Sequence, residues 1–508
     1  MTSYDVAIVG GGHNGLVAAA YCARAGLRTV LLERRPVLGG ASVTEEVWPG
    51  YRLSVASYVC SLFDPKIVDD LDLRAHGFEA YRKEPASFTP LEDGSSLLLG
   101  SDDASNAREI AAFDEKDVAG FRAFEAEATR LGALLYDSFS AAEPRFDALP
   151  DDVQSTLRGS AAAFVERYVR TDVLRATLAT DGLIGTDAGP RDDGTAYVLA
   201  HHYAGRALGA QGAWGFVRGG MGGLAEALAN AARAAGAELR TDAAVSRIAV
   251  RDGRAAVLEL HDGGSVEAAA ILVNADPRTL FTSLLDAGDV PDALLEKART
   301  WPTNGVSFKL NLALGELPDF TARPGTQVQP HHRATIHVAP SIEYLDTAFG
   351  DARAMGESAA PMLECFMQTP TDPDLAPPGK HILSVFAQWF PYTRADRPWR
   401  KSDRDLIADR IIATLAQYAP NLPNAIEHRQ ALGAPDLEEL LGLAGGQIFH
   451  GELLPDSIYE KRFGVRSGIG GLYLCGSGTH PGGCVSGFPG RRAAEAVVQD
   501  AAKAATLP

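Results

Sequence analysis

An α/β fold organised around a dinucleotide-binding loop is predicted by three features of this 508-residue sequence. A short apolar run, Tyr4-Asp5-Val6-Ala7-Ile8-Val9, leads straight into Gly10-Gly11-Gly12-His13-Asn14-Gly15. An alanine-rich, proline-free stretch from Leu16 to Ala25 follows and stops at Gly26. A second apolar run, Leu27 to Leu32, then closes on Glu33. Strand, glycine loop, helix, strand and terminal acid in this order form the first half of a nucleotide site, a far more specific signal than an isolated glycine motif.

Each position in the loop has a physical task. Gly10 permits the tight turn, Gly12 lets the backbone approach a pyrophosphate, and Gly15 lets the helix pack closely on the strand. Asn14 lies in the loop just before the helix, whose N-terminus offers unpaired N–H groups and a partial positive charge to an anion. Glu33 stands where a carboxylate accepts hydrogen bonds from a ribose diol and repels a 2′-phosphate, so FAD or NAD is favoured over NADP.

Beyond Glu33 the chain reads Arg34-Arg35-Pro36-Val37-Leu38-Gly39-Gly40-Ala41-Ser42, a second glycine pair directly after the acid. This continuation resembles FAD enzymes of the flavin amine oxidase and phytoene desaturase superfamily. The resemblance implies a Rossmann-like FAD-binding domain in which the Gly39-Gly40 pair wraps the diphosphate, with Arg34 and Ala41 as further cofactor-binding candidates. Near the other end, Gly471-Leu472-Tyr473-Leu474-Cys475-Gly476-Ser477-Gly478-Thr479-His480-Pro481-Gly482-Gly483-Cys484-Val485-Ser486-Gly487 resembles the terminal motif of phytoene desaturase-like proteins. It reads as a buried strand, a glycine loop and an alanine-rich helix from about Gly490 to Ala502. Gly476 and Val485 are its candidate cofactor contacts.

In the middle, Gly219-Gly220-Met221-Gly222-Gly223 precedes a helix from Leu224 to Ala235, strands over 238–241 and 244–250, an Asp252-Gly253 hairpin turn and a strand over 255–260. In the superfamily this pattern returns the chain to the cofactor, with Val245 at the adenine. Ala270 to Pro277 resembles the strand that follows, with Ala275 beside the cofactor. The fold class expected is therefore a discontinuous Rossmann-like FAD-binding domain (1–60, 215–280 and 455–508) with an inserted α+β substrate domain (61–214 and 281–454). Ala107 to Phe139 has helical spacing and reads as an amphipathic layer that either roofs a substrate cavity or simply packs the core. Segments such as Ala196 to His202, Gly212 to Phe216, Asp374 to His381 and Gly445 to Gly451 resemble one branch of the superfamily along nearly the whole chain.

Composition narrows the partners. Lys and Arg number 47 against 65 Asp and Glu, a net charge of −18, which argues against nucleic acid and does not indicate peripheral membrane contact, though it leaves room for it. The 5 cysteines are scattered without CxxC spacing, so no metal site or redox dithiol is expected, and free thiols suit a reducing cytoplasm. No second strand-plus-glycine unit for NAD(P)H is present.

FAD carries the difficult chemistry in such a protein, which must hold a substrate C–H bond against the flavin and exclude water. A small, apolar, possibly isoprenoid or acyl-like molecule is the expected substrate, facing a mainly apolar pocket. For desaturation a proton must also leave the adjacent carbon, and His202 and His450 are the candidate acceptors, each also readable as a structural histidine. His480 reads as part of the cofactor shell and His13 as pointing away from catalysis. Cys475 and Cys484 read as buried, inert thiols. The alternatives are a flavin amine oxidase using dioxygen, which would favour an aromatic pair drawn from Trp214, Trp389 and Phe390; an isomerase working with reduced FAD; and an FAD-binding interaction protein with little turnover.

Overall fold

The computed structural model describes residues 3–506, so residues 1, 2, 507 and 508 of the ranges assigned above lie outside the described residues. Strand β1 (Ser3–Val9) is flanked in parallel by β2 (Thr29–Leu32) and by Ser265–Val273, in the register Val9↔Leu32 and Val9↔Val273. Glu238–Arg240 extends the sheet beyond β2, Leu472–Leu474 pairs in parallel with Ser265–Val273, and the antiparallel strands Val245–Arg251 and Arg254–Leu260 complete seven strands. Three stretches far apart in sequence thus share one sheet. Asp252 and Gly253 make the turn with φ of +51° and +73°, the primed geometry that matches strand twist.

Helix α1 (His13–Arg24) begins three residues before the alanine-rich stretch because the glycine loop supplies its first turn: Leu16 N donates to Gly12 O at 3.0 Å. Most of its residues are buried between the sheet, the helix Gly222–Ala234 and the terminal helix Phe488–Thr506. The same core takes in Phe63, Ile67, Val68, Leu71, Leu73 and Phe78, and a buried pair, Asp64 to Arg491 at 3.0 Å, ties residue 64 to the terminal helix.

A second seven-stranded sheet runs Ile426–Leu432, Ser307–Leu314, His381–Gln388, Met362–Phe366, Thr335–Val338, Ser87–Pro90 and Ser96–Leu99, with only the Thr335–Val338 to Ser87–Pro90 pairing parallel. Helices including Asp117–Phe139, Asp172–Ala179 and Thr195–His202 pack around their own core. The amphipathic layer read over 107–139 is built of two helices, Asp103–Ala111 and Asp117–Phe139. Between them the Asp114 carboxylate accepts from Lys116 N at 2.9 Å, a local bond that competes with helix continuation. Strand Gly215–Val217 pairs with Ala80–Arg82, outside the first sheet. Among the described residues, no helix is long and apolar enough to cross a membrane.

Candidate functional site

The two glycine turns predicted from sequence touch one another. Gly39 N donates to Gly11 O at 2.8 Å, and a Cβ on Gly40 would come within 3.0 Å of Gly12 Cα. Gly10, at φ +99°, turns the chain under Asn274, whose N donates to Val9 O at 2.8 Å. A Cβ on Gly15 would lie 2.1 Å from Gly10 O, the close packing expected of it, and one on Gly12 would lie 2.9 Å from Asn274 Nδ2. The terminal loop closes the same cradle: Asn14 Nδ2 donates to Ser477 Oγ at 3.2 Å, Cys475 N donates to Val273 O at 2.9 Å, and a Cβ on Gly476 would meet Asn274 O at 2.8 Å.

Glu33 is nearly buried and accepts from Gly11 N at 2.7 Å and Arg35 N at 2.8 Å. The carboxylate at the ribose position therefore also braces the phosphate loop. Arg34 sends its guanidinium to the carbonyls of Glu439 and Leu440, at 3.0 and 3.1 Å. Its neighbour Arg35, which the sequence reading passed over, pairs with Glu45 at 2.7 Å and keeps Nη1 buried without a partner in the protein. Val245 opens its strand and Ala275 follows Asn274; both half-buried side chains pack on the core of the first sheet. Asn14 Oδ1 and Ser42 Oγ are likewise buried and unpartnered. Touching glycine turns, a helix start without a side-chain cap and these unmet donors and acceptors fit the diphosphate of FAD.

A cavity of about 160 Å³ adjoins this cradle, bordered on one side by His13, Ala41, Ser477 and Val485 and elsewhere mainly by apolar side chains such as Ile184, Leu437, Leu443, Ile448 and Phe449. Both candidate bases, His202 and His450, border it. His202 Nδ1 is fixed 2.9 Å from Val198 O and Nε2 faces Cys484 Sγ at 3.7 Å; burial pushes its pKa down to about 4. His450, held at φ +54°, places Nδ1 3.3 Å from the fully buried Asp276 Oδ2. His13 also lines the cavity, contrary to the expectation that it points away; as the first residue of α1 it stands beside His450, and burial lowers its pKa to about 3. His480 packs instead on Tyr459 and Phe139, with ring centroids 4.7 and 5.7 Å away. Cys475 is buried, whereas Cys484 is partly exposed to the cavity, its thiol pKa raised by burial.

Sequence reasoning missed Lys309. Its Nζ donates to Asn311 Oδ1 at 2.6 Å and to Ser384 Oγ, lies 4.7 Å from the centre of the Tyr58 ring, and is pushed down to a pKa of about 7 by burial. The signal was there in Ser307-Phe308-Lys309-Leu310-Asn311-Leu312: the apolar set enters the second sheet's core, so Ser307 and Lys309 take the cavity face. Of the three aromatic candidates only Trp214 reaches the cavity; Trp389 donates to Thr186 O at 2.9 Å and Phe390 packs near Phe308. The expected mainly apolar pocket is only part of the space, because a larger chamber of about 590 Å³ with many polar walls lies next to it and shares Tyr58, Val59, Ile184, His202 and Trp214 with it, bordered also by Phe121, Arg122 and Glu125 of the predicted helical layer.

The sequence profile of flavin containing amine oxidoreductases matches residues 202–498, and that of an NAD(P)-binding Rossmann-like domain matches residues 8–72. Pyridine nucleotide-disulfide oxidoreductase domain-containing protein 2 of Mus musculus is 38% identical, over 98% of this chain and 94% of the relative. A polypeptide of the limonene dehydrogenase of Castellaniella defragrans is 27% identical over 98% of this chain and 94% of its own. A triple mutant of putrescine oxidase shares the fold, with a TM-score of 0.62, 17% identity and 99% of each chain covered. The chain belongs to the flavin containing amine oxidoreductase family and is an FAD-dependent oxidoreductase.

Proposed function

We propose that this enzyme is a dehydrogenase or desaturase that removes a hydride from a largely apolar, isoprenoid or acyl-like substrate. The observation that carries this reading is the small apolar cavity set directly against the cofactor cradle, with proton-carrying groups on its wall. FAD, when bound, accepts the hydride. The chain's own part is to position and desolvate the substrate and to take the second hydrogen as a proton. Leu437, Leu443, Ile448 and Phe449 exclude water and bury an apolar ligand. Lys309, neutral above about pH 7, and His450, with the Asp276 carboxylate beside it, are the proton acceptors of choice; protonation of His202 is disfavoured by its burial. The similarity to a limonene dehydrogenase polypeptide agrees with an apolar substrate. A cofactor-binding part over 1–60, 215–280 and 455–508, with the intervening segments serving the substrate, is part of this proposal.

The test is product analysis. Purified holoenzyme is incubated anaerobically with an artificial electron acceptor and a panel of terpenes and acyl compounds, and products are weighed by mass spectrometry. Loss of two hydrogens from an apolar member supports the reading; turnover confined to amines contradicts it.

A further inference from the structure

Tyr58, Val59, Ile184, His202 and Trp214 border both cavities and so stand between the apolar chamber and the larger one. The other walls of the larger chamber are of a different chemistry. On Thr335–Val338 and Met362–Phe366 the alternation sends Ile336, Val338, Leu363 and Cys365 into the core of the second sheet. His337 and Glu364, directly paired across these strands, therefore take the chamber face. Lys83 and Asp181 complete the cluster.

Lys83, His337 and Glu364 are buried and Asp181 half-buried, and the four are poorly matched to one another. Lys83 is 7% exposed; its Nζ donates to Thr335 Oγ1, and among the described residues it has no carboxylate within the 4.0 Å of an ion pair. Glu364, also 7% exposed, accepts no hydrogen bond, and its nearest basic atom is His337 Nδ1 at 3.7 Å. Burial lowers the His337 pKa to about 3, so that imidazole is neutral and lends no charge. The Asp181 carboxylate accepts no hydrogen bond among the described residues either. Lys83 and the two carboxylates nevertheless feel each other's charge across the chamber.

Buried charges held apart in this way are costly unless something between them both accepts and donates hydrogen bonds. A hydrocarbon does neither. An ammonium only donates and meets the like charge of Lys83, while a carboxylate only accepts and meets the like charge of Asp181. A hydroxyl does both. We propose that the larger chamber binds a hydroxyl-bearing head of an otherwise apolar substrate, Lys83 donating to the hydroxyl oxygen and the one O–H being shared between Asp181 and Glu364. The apolar remainder then reaches past Tyr58 and Trp214 to the small chamber. Only this last placement rests on the hydride-transfer reading.

Four probes of one carbon skeleton test the assignment: myrcene, geraniol, geranylamine and geranic acid. Each is titrated anaerobically into holoenzyme, and binding is read from perturbation of the bound flavin's absorption spectrum. Geraniol is expected to bind about tenfold or more tighter than myrcene, the scale of a buried hydrogen bond to a charged group, and tighter than the amine or the acid. Lys83→Met and Asp181→Asn should each shrink the geraniol preference to about threefold or less while leaving myrcene unchanged; Glu364→Gln, nearly isosteric, provides the same comparison if either fails to fold. Equal binding of geraniol and myrcene, preference for the amine or acid, a geraniol preference undiminished in the variants, or no perturbation by any probe would overturn the proposal. Spectral binding of geraniol without flavin bleaching sinks the hydride reading and leaves the chamber assignment standing. Bleaching by myrcene and geraniol at equal affinity does the reverse.

Discussion

The Nδ1 of His450 lies 3.3 Å from Oδ2 of Asp276, a carboxylate with no exposed surface. Asp276 Oδ1 is already held by Arg278 N at 2.8 Å, which fixes the carboxylate's orientation towards the imidazole. His450 thus has a carboxylate beside its ring, whereas His202 has a carbonyl and a thiol.

The two histidines should therefore separate in kinetics. His450→Gln is expected to slow flavin reduction in anaerobic single turnovers by about 100-fold, the low end of general acid–base contributions, and His202→Asn by less than about tenfold. Asp276→Asn, which retains an oxygen for Arg278 N, should fall near His450→Gln. Equal effects at the two histidines would remove the distinction.

Lys309 should set a pH dependence. With its pKa at about 7, the amine is charged and unable to accept a proton below that pH and neutral above it, so flavin reduction should rise with pH through about 7. Lys309→Met should be slow and lack this limb. Stability should rise with pH as well: folding lowers this pKa from 10.5, so the unfolded chain binds more protons between about 7 and 10.5 and the lysine's penalty is greatest at the acid end. Methionine should raise the thermal midpoint more at pH 6 than at pH 10.5, with Ser384 still donating to Asn311 Oδ1 at 3.1 Å.

Glu33→Gln replaces one of two carboxylate oxygens that hold Gly11 N and Arg35 N. Loss of ribose bonds alone would raise the FAD dissociation constant about tenfold. Because one backbone donor also loses its acceptor, the apoprotein's thermal midpoint should fall as well; an unchanged apo midpoint would return Glu33 to a purely ligand-binding role.

Gly490 joins the two ends of the chain, since a Cβ there would stand 2.2 Å from Asn14 O. Gly490→Ala should destabilise the fold by about 1–3 kcal/mol and weaken FAD retention, as overpacking at a backbone contact does. Gly236→Ala, at φ +96° with nothing within 4 Å, should cost stability without releasing FAD. Denaturant unfolding and flavin content report on both.

The cofactor cradle was legible because phosphate-loop chemistry is local: Gly10, Gly12 and Gly15 act within six residues of one another, and their requirements are written in that spacing. Its remote closures, Gly476 and Val485, were readable only through family resemblance, since no local pattern says that Ser477 will meet Asn14. Arg35 was missed in favour of Arg34 because adjacent arginines differ only in which way the chain turns after Glu33. Lys309, Lys83 and Glu364 were missed for another reason. Each lies on or beside a strand whose other face is apolar, and whether the polar face meets solvent or an enclosed chamber depends on layers packed from distant segments.

The most direct test of the central claim is anaerobic bleaching of the bound flavin. Holoenzyme is mixed with limonene, geraniol, a fatty acyl ester or putrescine, and the flavin absorbance is followed without dioxygen. Bleaching by at least one of the first three, absent with putrescine, is the predicted result; bleaching by putrescine alone, or by none of the four, would contradict it.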